Sequence, residues 1–119
     1  MPPPSSPPEP IVLQHLTFAH DSAALTGISL EIIADAYATI QDYPEHRIIL
    51  HAHTSAPGTA EYNLRLSARR GAAVRSALIQ LGLDPSRITI EAYGEQNLLV
   101  HGNTEADHRV NRRVEIHFN

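Results

Sequence analysis

Residues 47–82 read RIILHAHTSAPGTAEYNLRLSARRGAAVRSALIQLG. The run Ile48-Ile49-Leu50 opens an apolar stretch from Arg47 to His53, and it predicts a central strand buried on both faces. Thr54 to Gly58 is a loop, marked by Pro57 and Gly58. From Ala60 to Leu81 the apolar positions Leu66, Ala73, Val74, Ala77, Leu78 and Leu81 recur at helical spacing, and Gly82 stands where a helix ends. The segment is a strand, a loop and a long helix, the first half of a βαβ unit.

The flanks extend that pattern. Upstream, Ile11 to Phe18 (IVLQHLTF) is rich in strand-forming residues and bounded by Pro10 and the polar turn His20-Asp21-Ser22. A helix is expected to start near Thr26 as N-cap, with Leu30, Ile33, Ala34, Tyr37 and Ile40 on its inner face and Tyr43-Pro44 ending it. Downstream, Asp84-Pro85-Ser86 is a turn, and Arg87 to Tyr93 alternates Ile88, Ile90 and Ala92 against polar neighbours as a third strand. Gly94 to Asn111 is polar and reads as a long surface loop, and Arg113 to Phe118 is a final alternating strand. The order β-α-β-α-β-loop-β predicts an α/β fold, an α+β sandwich: one mixed four-stranded sheet with two main helices on it.

Composition limits the function. Six of the nine prolines fall within the first ten of 119 residues, so residues 1–10 are expected to be an extended proline-rich tether and residues 11–119 the folded domain. Thirteen acidic against nine basic residues give a net charge of −4, which argues against a nucleic-acid partner. The absence of cysteine excludes disulfides and thiol catalysis. No apolar run approaches the ~18 residues of a membrane span and no signal peptide is recognisable, so contact with a membrane is expected only through a segment upstream.

One residue breaks the pattern of the second helix. Arg70 lies four residues after Leu66 and four before Val74, within the apolar stripe, and Asn63 is two turns earlier on the same side. A guanidinium directed at the body of a domain needs an anionic partner or a route to solvent. It either snorkels or pairs with an internal carboxylate, or it stands at the edge of the sheet to fork a ligand carboxylate. The Thr54–Gly58 loop would line the same crevice, beyond the carboxyl ends of the strands.

Several motifs occur in one order: His51-Ala52-His53-Thr54-Ser55, Gly58, Tyr62-Asn63, Leu66-Ser67 with Arg70-Gly71, Val74 and Gly82. They are joined by Leu16-Thr17-Phe18, Asp21-Ser22-Ala23, Leu25, Tyr93-Gly94-Glu95, Arg109 and Asn111 to Ile116. Together, over residues 12–118, they resemble the OmpA C-terminal-like family, whose proline-rich linker matches residues 2–10. The resemblance implies a periplasmic, non-covalent peptidoglycan-binding module that anchors a membrane-attached protein to the cell wall. It implies that Arg70 takes the carboxylate of the diaminopimelate in the stem peptide, with Thr54, Asn63 and the first-loop Asp21 around it.

The sequence departs from the family where the family's aspartate falls at Ser55, its preceding glycine at Ala52 and its post-arginine alanine at Gly71. A hydroxyl cannot neutralise the ligand ammonium, and loss of one charge-assisted bond corresponds to about 1.5–3 kcal/mol, or roughly ten- to a hundredfold in affinity. Asp21 could take over that ammonium. The alternative is a degenerate copy of the fold that serves as a protein-interaction or homodimerisation module.

Eight histidines are present. His51 and His53 alternate on one strand face, a spacing that can bring two imidazoles to zinc, with His20, Asp21 or Glu61 as conceivable third ligands. Satisfied or surface histidines are the favoured reading, and neither a metal nor a cofactor is expected. His53 stands at the family's histidine, and the role implied is to orient the Thr54 loop. Ser67 lacks a nucleophile elbow and counts as scaffold, so no enzyme is expected. Arg112 and Arg113 are expected in surface or loop-anchoring ion pairs.

Overall fold

The computed structural model describes residues 8–13, 27–54, 58–96, 101–102 and 104–119. The elements are β1 (Ile11–Leu13), α1 (Gly27–Gln41), β2 (Ile48–His53), α2 (Ala60–Leu81), a 3-10 turn (Pro85–Arg87), β3 (Ile88–Gly94), α3 (Glu105–Asn111) and β4 (Val114–Phe118). The strands form one sheet in the order β1-β4-β2-β3. Strands β2 and β3 are parallel, and α2 supplies the crossover that such a pair requires; β4 runs antiparallel to both β1 and β2. The sheet is mixed, as the sequence predicts.

Helix α2 forms where its signals stand. The Thr59 hydroxyl caps it by accepting from the Tyr62 N–H at 3.1 Å. At its other end Gly82 has φ +125°, and the Leu83 N–H reaches the Leu78 carbonyl, which carries Leu83 into the core. Gly71 sets how closely the helix approaches the sheet. A Cβ at that position would lie 2.9 Å from Ile90 Cγ2 and 3.3 Å from the Ala52 Cβ.

One face of the sheet, carrying Ile48, Leu50, Ala52, Ile88, Val114, Ile116 and Phe118, is buried with Ile33, Ile40, Val74 and Leu78 of α1 and α2. The other face carries His51, Glu91, Tyr93, Glu115 and His117, all half-buried or exposed. Ile49 shares that face and is half-buried, so β2 is central by pairing but fully buried on one face only.

Other expectations need revision. The stretch Gly94–Asn111 is not all loop: α3 occupies its end, started by a capping box in which Thr104 and Asp107 bond each other's backbone N–H groups. The inner stripe of α1 is Ser29, Ile33, Ala36 and Ile40, while Leu30 and Ala34 face outward. Leu81 is exposed as well. Pro8, Glu9 and Pro10 lead into β1 without regular structure. Residues 1–7 of the expected tether, the Gln14–Phe18 part of the first strand and the Thr26 cap lie outside the described residues.

Candidate functional site

Parallel strands β2 and β3 end together beside the start of α2. There the Thr54 N–H donates to the Gly94 carbonyl at 2.8 Å. Gly94 has φ +57°, and a Cβ on it would sit 3.0 Å from the backbone nitrogen of Leu64 and 3.3 Å from the carbonyl carbon of Asn63. Thr54 and Asn63 therefore both adjoin Gly94. The Ser67 hydroxyl fastens the join by accepting from the Gly94 N–H at 3.0 Å and donating to the Leu64 carbonyl at 2.8 Å.

Thr54 is 2 % exposed, yet its Oγ1 has no hydrogen-bond partner among the described residues. A buried hydroxyl without a partner carries a desolvation penalty that a bound ligand can relieve. Asn63 is buried too, its side chain lying against Gly58. Arg70 is half-buried at the margin of the α2 stripe rather than at its centre, which Gly71 occupies. Seven residues along the helix put it about 10 Å beyond Asn63 on the same side. Asp21 and Ser55 lie outside the described residues. Beside the crevice, Ala60, Glu61, Leu64, Tyr93, Glu95 and Gln96 line a shallow pocket with two carboxylates.

The open sheet face holds a second, denser cluster. His51 and His117 stack with ring centroids 3.7 Å apart. The Glu115 carboxylate accepts from Arg113 Nε at 2.6 Å and lies 2.9 Å from His117 Nε2. Arg113 is 4 % exposed, so its ion pair with the half-buried Glu115 lies within the sheet face, where the sequence reading expected a surface or loop-anchoring pair. His53 stacks on Tyr93, whose hydroxyl donates to Glu91. Burial, followed by the neighbouring Arg113 charge, lowers the His53 pKa to about 4. Burial and then His117 lower that of His51. For Glu115, burial raises the pKa, but the bonds from Arg113 and His117 outweigh it and leave the net shift downward.

Sequence reasoning found His51 and His53 but missed Glu115, Arg113 and His117 as their neighbours. Glu61, a conceivable third ligand, is exposed on α2 and lines the shallow pocket instead. The missing signal was strand register: His51 pairs directly with Glu115 across β2 and β4.

The fold is that of an α+β domain with a crevice at the ends of its parallel strands. The family model of the OmpA family matches residues 17–112, and the chain belongs to that family. It is 33 % identical over 99 residues to the peptidoglycan-associated lipoprotein of Pseudomonas putida, covering 83 % of this chain and 59 % of that protein. It is 42 % identical over 73 residues to outer membrane porin F of Pseudomonas fluorescens, covering 61 % of this chain and 22 % of the porin. The chain thus spans about three fifths of the lipoprotein it matches and a smaller share of the porin. The crystal structure of the peptidoglycan-associated lipoprotein from Burkholderia pseudomallei superposes with a TM-score of 0.78 at 27 % identity, covering 87 % of this chain and 88 % of that one. A periplasmic domain of Helicobacter pylori MotB (residues 97–256) has the same fold, with a TM-score of 0.83 at 23 % identity over 97 % of this chain and 88 % of that one.

Proposed function

We propose that this domain is a periplasmic, non-covalent peptidoglycan-binding module that recognises the diaminopimelate end of the stem peptide. The observation that carries the reading is the buried Thr54 hydroxyl, without a hydrogen-bond partner among the described residues, at the strand ends of an OmpA-family fold. In this reading Arg70 forks the ligand carboxylate and Thr54 and Asn63 bond its polar backbone. By the family pattern, Ser55 and Asp21 are assigned to the ammonium, and Ser55 weakens the grip because it brings no charge. The module binds and does not catalyse, and residues 1–10 tether it to whatever lies upstream.

Ser55 also favours a second reading, in which the crevice has lost its ligand and the fold serves protein interaction or homodimerisation. Co-sedimentation with purified sacculi separates the two. The folded wild-type chain is expected to pellet with sacculi, and Arg70→Ala is expected to stay in the supernatant with an unchanged circular-dichroism spectrum. Failure of the wild type to pellet would support the interaction module, and equal pelleting by a folded Arg70→Ala would rule out the proposed site.

A further inference from the structure

We propose that His51, His53 and Glu115 form a binding site for a zinc-class divalent transition-metal ion on the open face of the sheet. One donor atom from each lies within 4.8 Å of the other two. The three residues come from adjacent strands: His51 and Glu115 are direct partners in the β2–β4 register, and His53 follows at the irregularity that ends β2.

The second observation is His53 itself. It is 4 % exposed, and neither ring nitrogen has a hydrogen-bond partner among the described residues. The Tyr93 ring, parallel to it within 9° and 5.1 Å away, accounts for the burial of the imidazole face but satisfies neither nitrogen. Its Nε2 points toward Glu115, 3.9 Å from Oε1. Imidazole nitrogen and carboxylate oxygen are the ligand types that zinc takes at about 2.0–2.2 Å. A tetrahedral ion would draw these donors inward by about 1 Å or more, a movement open to the half-buried His51 ring.

Surrounding groups fit the assignment. Arg113 Nε holds Glu115 Oε2, which leaves Oε1 for the ion and fixes the carboxylate as an outer-shell partner does. His117 Nε2, 2.9 Å from the same Oε1, is placed to become a fourth ligand, and otherwise water completes the shell. Glu91, with Oε2 3.5 Å from His51 Nε2, adds negative charge against the nearby guanidinium. With Arg113 so close, affinity in the micromolar range is expected rather than that of a four-ligand structural site.

The test is titration of the chelator-treated 119-residue chain with Zn(II) by calorimetry, and with Co(II) by visible absorption. One equivalent of zinc is expected to bind, with a melting temperature that rises with zinc concentration, and cobalt is expected to give the absorption of a low-coordinate site. His51→Asn, at a half-buried position, and Glu115→Gln are each expected to weaken zinc binding at least tenfold, with wild-type circular dichroism for His51→Asn. Absence of binding by the wild type overturns the proposal. So does undiminished binding by His51→Asn, which would put the ion among the other histidines of the chain.

Discussion

The Ser67 hydroxyl and the Gly94 backbone N–H are joined by a buried hydrogen bond of 3.0 Å, across 27 residues of sequence. Ser67 is fully buried in α2, and Gly94 closes β3, so this bond sets the position of the helix start against the strand end where the crevice lies.

Ser67→Ala is therefore expected to leave the Gly94 N–H buried and unpaired, at about 1–3 kcal/mol. Chemical denaturation would measure the loss. A change within error would mean that the N–H finds water or another acceptor.

Gly94→Ala meets two obstacles at once. The residue has φ +57°, and the new Cβ would stand 3.0 Å from the Leu64 nitrogen and 3.1 Å from its Cα, which are backbone atoms that cannot swing away. The left-handed conformation alone disfavours alanine by about 1 kcal/mol, and crowding adds to it. A destabilisation of roughly 2–3 kcal/mol is expected. The double variant with Ser67→Ala should lose less than the sum, because both changes release the same contact.

Legibility from sequence followed the range of the interactions involved. The limits of α2 are local signals: Gly82 ends it as read, and Thr59 caps the start read at Ala60. Helix α3 carried a local signal too, Thr104 three residues before Asp107, but its short polar run lacks the apolar periodicity of a helix stripe. In α1 the buried Ser29 and Ala36 take inner positions that hydrophobicity assigns to Leu30 and Ala34. The approach of Arg113 and Glu115 to His51 and His53 has no local signal, because only the β2–β4 register brings them together. Thr54 and Asn63 of the candidate site were legible through family motifs. That Arg70 lies at the margin of the stripe was not, since helical spacing alone cannot tell its centre from its edge.

Ser55→Asp is expected to strengthen binding of a diaminopimelate-containing tripeptide by about tenfold, a gain of roughly 1–2 kcal/mol reduced by solvent screening. The position lies shortly before the start of α2, where a negative charge is favourable, so stability should hold. If Asp21 already meets the ammonium, Ser55→Asp adds little and Asp21→Asn becomes the damaging change. Calorimetric titration of both variants decides, and no response to either would mean that the crevice does not hold this ligand.

In the presence of a chelator, acid should destabilise the domain through His53. Its folded pKa of about 4 lies below its unfolded value of 6.5, so the folded state binds the proton less well. The stability tied to the neutral ring is present above pH 6.5 and is lost progressively as pH falls toward 4. A loss of up to roughly 3 kcal/mol is expected across that interval. His53→Gln should flatten this part of the stability profile, and an unchanged slope would assign the effect to other groups.

Among the described residues, strand β1 makes three register pairs with β4, and β2 makes five with β4 and six with β3. The prolines at 8 and 10 lead directly into that edge strand. A pull transmitted through this segment meets the β1–β4 ladder first, while the crevice between Thr54 and α2 belongs to the β2–β3 side. The edge strand thus stands, with β4, between such a load and the two parallel strands that hold the crevice together.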